Sequence, residues 1–151
     1  MNTEELVKIL ETQKNNLKAL LEIVMSKQKI LLNNQLKKLP HYIALEEKKL
    51  LGVQLTEEKR LQIMQTIFNK YNIKSQRYKL QILTKELDNI LPENYLQNIT
   101  DKEKEIKKLI SQIVKINKQN LLLVEQSSQI ISETVKAVIE TSKKVFIDRK
   151  G

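Results

Sequence analysis

Residues 100–142, TDKEKEIKKLISQIVKINKQNLLLVEQSSQIISETVKAVIETS, hold neither glycine nor proline. Projected at about 100° per residue, Ile106, Leu109, Ile110, Ile113, Val124, Ile131, Val135 and Val138 fall along one broad stripe. Thr100 with Glu103 three residues on has the form of a capping box, so the pattern predicts a helix from about Asp101 to Ser142. At about 1.5 Å per residue it would span roughly 60 Å, the length of an elongated bundle or coiled coil rather than of an ordinary globular helix. Asn117, Asn120, Ser127 and Thr134 interrupt the same stripe, whereas Leu122 sits roughly 170° from its centre, with Leu121, Leu123 and Ile130 widening the apolar arc. Polar residues in a packing seam fix register at a cost in stability, or leave a seam that a replaceable partner can enter. The surplus apolar surface calls for a fuller bundle or for a groove that takes another chain's amphipathic helix.

Upstream, Leu6, Leu10, Leu17, Leu20, Leu21, Val24 and Leu31 recur at three-and-four spacing and predict a helix from Asn2 to about Leu32. Asn33-Asn34 marks a turn. The series Leu36, Leu39, Ile43, Leu50, Leu61, Met64 and Phe68 then returns as the second arm of an αα-hairpin over 2–68. Pro40 makes this arm either begin near Lys38 or kink, and Gly52 is a weaker irregularity within one element. Residues 69–99 read as a basic linker (NKYNIKSQRYK, 69–79), a short helix from about Gln76 to Leu91 stopped by Pro92, and a loop over 92–99. The stretch 143–151 reads as a flexible tail. The expected fold is therefore all-α: a single elongated antiparallel helical bundle or coiled coil with an N-terminal hairpin, a short third helix and a long C-terminal helix.

Composition narrows the chemistry. The chain has 151 residues with only two glycines, Gly52 and Gly151, too few for a phosphate loop, a dinucleotide fingerprint or the turns of a β-sandwich. It has no cysteine, which removes disulfides and thiolate metal sites and fits a reducing cytoplasm. The longest apolar run is Leu121 to Val124, so neither a signal peptide nor a membrane span is expected. The lone His41 follows Pro40 with no carboxylate at ligand spacing, and the pairs Glu4-Glu5, Glu46-Glu47, Glu57-Glu58 and Glu103/Glu105 are flanked by lysines, as on a solvated helix surface. No enzyme, no cofactor, no metal and no small-molecule substrate is expected. The net charge of +9 comes from lysine, with Arg60, Arg77 and Arg149 the only guanidinium groups. A lysine excess without arginine forks reads first as solvated surface. Nucleic acid or an anionic surface is a minority reading, resting on Lys70, Lys74, Arg77 and Lys79 interleaved with Tyr71 and Tyr78.

Three stretches together resemble the FlgN family of flagellar type III export chaperones. They are the opening amphipathic helix with Leu6, Leu10 and Leu17 to Leu21 followed by Gln28; LLNNQLKKL (31–39) with LEEKKLL (45–51) and EEKRL (57–61); and NKQNLLLVEQSSQII (117–131), similar to the family's Asn-x-x-Asn-x-x-Leu pattern running into a Ser-containing amphipathic helix. The resemblance implies a cytoplasmic chaperone whose C-terminal helix captures the C-terminal amphipathic helices of FlgK-like and FlgL-like hook-filament junction proteins. The surface expected to do so comprises Asn117, Asn120, Leu122, Leu123, Val124, Ser127, Ile130 and Ile131. It also implies contact with the flagellar export gate and ATPase machinery, to which the tail around Phe146 would contribute. The competing reading is a structural, self-associating coiled coil, a homodimer or larger, in which the asparagines only select the oligomeric state.

Overall fold

The computed structural model describes residues 2–126, 136–144 and 146. Among them every regular element is a helix: α1 (Asn2–Leu32), a 3-10 turn (Leu36–Lys38), α2 (Leu39–Lys70), α3 (Leu80–Glu86), α4 (Glu93–Glu125) and a further helical stretch over 136–144.

The hairpin is built as its sequence suggests. Helix α1 ends in a reversal where the Gln35 N–H donates to the Ile30 carbonyl at 2.9 Å and the Asn34 N–H to that of Leu31 at 3.3 Å. That is a Schellman motif, whose penultimate position needs positive φ, and Asn34 supplies φ 56°. Helix α2 closes the same way, with Ile73 N–H on the Phe68 carbonyl at 2.8 Å and Asn72 at φ 55°. Two asparagines thus do the work usually given to glycine, because their short polar side chains tolerate the left-handed region. Pro40 falls in the first turn of α2, where its missing N–H costs nothing, and the helix passes through Gly52 without a break.

Helix α1 is the centre of the bundle, packed along α2 on one side and α4 on the other. Its partners fix the directions. Gln13 meets Glu57 and Lys27 meets Glu46, so α2 runs antiparallel. Thr3 meets Tyr95, Glu11 meets Lys102 and Gln28 meets Gln119, so α4 runs parallel to α1. Leu6, Leu10, Leu17, Leu20 and Val24 of α1 are fully buried against Leu50, Val53, Met64, Ile67 and Phe68 of α2 and Ile99, Ile106, Ile110, Ile113 and Val124 of α4.

Three expected boundaries move. Helix α4 starts at Glu93, after Pro92, and not at Asp101; Thr100 lies inside it and returns its hydroxyl to the Leu96 carbonyl at 2.8 Å. Leu96 and Ile99 extend the apolar stripe backwards, and burying them outweighs the local capping signal. The short third helix is seven residues, shorter than the expected span from Gln76 to Leu91. At the other end, α4 closes at Glu125 with Gln126 as its cap, instead of continuing to Ser142. The bundle itself ends there: the Gln28–Gln119 register sets Leu32, the last residue of α1, opposite Leu123. A straight continuation would carry Val138, Ile139 and Phe146 into water, whereas they are buried, with Ala137, Val138 and Thr141 facing Glu47, Leu50, Leu51 and Gln54 of α2 across a groove of about 280 Å³. Lys143, Lys144 and Phe146 are helical, so the tail does not begin at Lys143.

The basic linker is irregular over 71–79 but tethered. Arg60 grips Glu57 through Nε at 3.0 Å and Nη2 at 2.6 Å, and its Nη1 donates to the Tyr78 carbonyl at 3.2 Å. Tyr78 stacks edge-on to Phe68, and Tyr71 also packs on the core.

Candidate functional site

The inner face of α4 is polar where it should be oily. Asn117, Asn120 and Val124 are buried, and the Asn120 amide donates to the Val24 carbonyl at 3.0 Å. Asn120 Oδ1 and both polar atoms of the Asn117 side chain make no hydrogen bond of full geometry. Each such group costs about 1–3 kcal/mol of desolvation. Asn117 lies against the interior pair in which Lys27 Nζ approaches the two Glu46 carboxylate oxygens at 3.0 and 2.8 Å. Burial pushes the Glu46 carboxyl above its ordinary range, and the Lys27 ammonium, with a smaller contribution from Asn117, works against that shift. Three helices therefore meet at a buried polar node of Lys27, Glu46, Asn117 and Asn120.

The outer groove between α1 and α4 changes character along its length. In its lower half Lys102 reaches Glu11 at 2.7 Å, while Lys14 reaches Glu11 at 3.1 Å and Glu105 at 3.5 Å. Hydrogen bonds from Lys102 and Lys14 hold the Glu11 carboxyl below its usual range, and the bond to Glu11 raises Lys14. Further down, the half-buried Tyr95 phenol donates to the Thr3 carbonyl at 2.6 Å and is pushed by burial up to about 12.

In the upper half the ion pairs give way to apolar side chains. A hydrogen bond of 2.8 Å between the Gln28 and Gln119 side chains spans the groove. Helical spacing sets Leu21, Met25 and Leu32 beside Gln28, and Ile116, Leu122 and Leu123 beside Gln119. Met25 is 46 % exposed, Leu32 66 % and Leu122 62 %. Large aliphatic side chains left in water near one end of two adjacent helices form a surface whose burial is favourable.

The expected partner surface on α4 is thus divided. Asn117, Asn120 and Val124 face inward against α1 and α2, Leu122 faces outward, and Leu123 sits at the edge between them. Ser127, Ile130 and Ile131 lie outside the described residues. Phe146 is buried, so its ring is not offered to another protein. Met25 and Leu32 of α1 are additions to the expected surface: they lie one turn either side of Gln28, a signal present in the sequence but hidden by the stronger Leu6-to-Leu31 series.

Tyr71 and Tyr78, which would stack on bases in a nucleic-acid reading, are held in packing contacts. Among the described residues no group of three or more His, Asp or Glu side chains could hold a metal ion, and no helix is long and apolar enough to cross a membrane. Comparisons of the chain with protein-family models, with curated proteins and with solved structures gave no match.

Proposed function

We propose that the protein is a helix-capturing chaperone of the FlgN type, working in the cytoplasm to cover the C-terminal amphipathic helices of hook-filament junction proteins until the flagellar export gate and ATPase machinery take them. The observation that carries the proposal is the apolar upper half of the α1–α4 groove, where Met25, Leu32 and Leu122 stand exposed around the Gln28–Gln119 bridge. An amphipathic helix laid there buries its own apolar face and these side chains together, the helix-in-groove mode of recognition. A groove only about two turns long, floored by partly exposed side chains, supports binding that is useful and reversible, as export requires.

Titration calorimetry of the folded protein with C-terminal peptides of junction proteins tests this. Saturable binding that Leu122→Asp abolishes is the expected result. No heat with any such peptide, together with a stable homodimer in sedimentation, would replace it with the self-associating coiled coil.

A further inference from the structure

We infer that the helix captured in the α1–α4 groove is acidic: an apolar stripe flanked on both sides by Asp or Glu. The inference rests on the helix-capture reading and adds to it the charge of the partner.

Three long stretches of the sequence hold no acid: 59–85, which supplies the linker, and 23–45 and 106–124, which reach the groove. The last two carry eight lysines. In the chain they are about sixty residues apart, and the parallel packing of α4 on α1 brings residues 23–32 beside about 114–123 around the upper half of the groove. Lys27 is consumed internally by Glu46. Of the others, Lys29, Lys115 and Lys118 lie in this half. Lys29 stands exposed one turn from both Met25 and Leu32, while Lys115 and Lys118 stand exposed two turns and one turn before Leu122. Among the described residues none of Lys29, Lys115 and Lys118 takes part in an ion pair. The lower half of the same groove shows the opposite treatment, since Lys14 and Lys102 are matched by Glu11 and Glu105.

An apolar floor beside Lys29, Lys115 and Lys118 is complementary to a helix with an apolar stripe between two anionic flanks. Each of these lysines then gains a partner as the leucines are covered, and helices of the wrong charge are turned away by like-charge contact. A nucleic acid would meet the lysines but leave Met25, Leu32 and Leu122 in water, and these stretches contain no arginine to grip phosphate in a fork.

The test uses the full chain and two synthetic peptides of about five helical turns that share one leucine stripe, one flanked by Glu and the other by Lys. Fluorescence anisotropy should give at least about tenfold tighter binding of the Glu peptide, with the preference shrinking at high salt. The double variant Lys115→Glu/Lys118→Glu, at exposed sites and checked for helicity by circular dichroism, should lose or reverse that preference. Equal binding of both peptides, abolished by Leu122→Asp, would overturn the charge inference and leave helix capture standing. Failure of both peptides to bind folded protein would overturn the two together. Tight binding of an oligonucleotide or an anionic vesicle that the Glu peptide cannot displace would overturn the inference in favour of a polyanion.

Discussion

Lys27 and Glu46 form a bidentate ion pair with neither side chain exposed, joining the upper halves of α1 and α2 in the interior of the bundle. Removing two full charges from water costs several kcal/mol per ion, and the pair recovers that cost only while both members are present. Lys27→Met alone should therefore lower unfolding free energy by about 3–5 kcal/mol, whereas Lys27→Met with Glu46→Leu should be neutral or stabilising. Urea denaturation of both variants checks this. Two equal losses would show that the pair is a net stabiliser.

Asn117 gives a prediction of opposite sign. Its amide is buried without a full hydrogen bond, so Asn117→Leu should raise stability by about 1 kcal/mol through removal of an unsatisfied group and gain of apolar contact. Thermal melts would show the gain, and a fall in melting temperature would mean that the contact with Glu46 outweighs it.

Gly52 lies in mid-helix, and a Cβ there would meet only Asn16 Nδ2, at 3.9 Å. That is ordinary contact, so Gly52→Ala should stabilise by about 0.5–1 kcal/mol. A destabilised Ala variant would reveal a constraint on the Asn16–Thr56 contact, in which the two side chains lie 3.4 Å apart.

The Glu11–Lys14–Lys102 cluster sets a pH window. Glu11 is held below its ordinary 4.5, so the unfolded chain takes up its proton first on acidification; the contribution is complete above 4.5 and is lost as pH falls through the folded value. Lys14 is raised above 10.5, so its contribution is complete below 10.5 and is lost as pH rises through the folded value. Because Glu11 and Glu105 are partly exposed, each pair is worth no more than about 0.2–1 kcal/mol. Glu11→Gln should cost that amount at neutral pH and low salt and progressively less as pH falls below 4.5, measured by denaturation across pH. A cost that persists in acid would assign Glu11 a packing role instead.

Arg60 joins α2 to the linker. Arg60→Met leaves the buried Glu57 carboxylate without its main partner and frees the Tyr78 carbonyl, so it should cost about 3 kcal/mol and, by loosening the linker, speed trypsin cleavage at the already exposed Lys74 and Arg77. Cleavage no faster than in the parent chain would show that the Phe68–Tyr78 contact alone holds the linker.

The hairpin was legible because its signals are local. Periodic leucines, an asparagine pair that can take positive φ, and a proline placed at a helix start each act within a few residues. The start and end of α4 were not legible for the converse reason. The capping pattern at Thr100 is overridden by burial of Leu96 and Ile99, and the stop at Glu125 is set by where α1 runs out, a fact about another helix. The site was legible in part. Leu122 announces itself as an apolar residue on a polar face, but its companions Met25 and Leu32 sit on a helix whose direction relative to α4 no local pattern encodes. The same blindness concealed the grouping of the lysines, which look evenly diluted along the chain until α1 and α4 are laid side by side.

The parallel course of α1 and α4 also bears on how the molecule assembles. In the hairpin the separation between partners shrinks toward the turn, from 44 residues at Gln13–Glu57 to 19 at Lys27–Glu46, so contacts can close in succession like a zipper, each shortening the loop for the next. Between α1 and α4 the separation is 92 at Thr3–Tyr95 and 91 at both Glu11–Lys102 and Gln28–Gln119. No contact there brings the next one nearer along the chain, so no end of that interface has a kinetic advantage over the other. The topology therefore favours closure of the hairpin before helix α4 docks on it by a search in space.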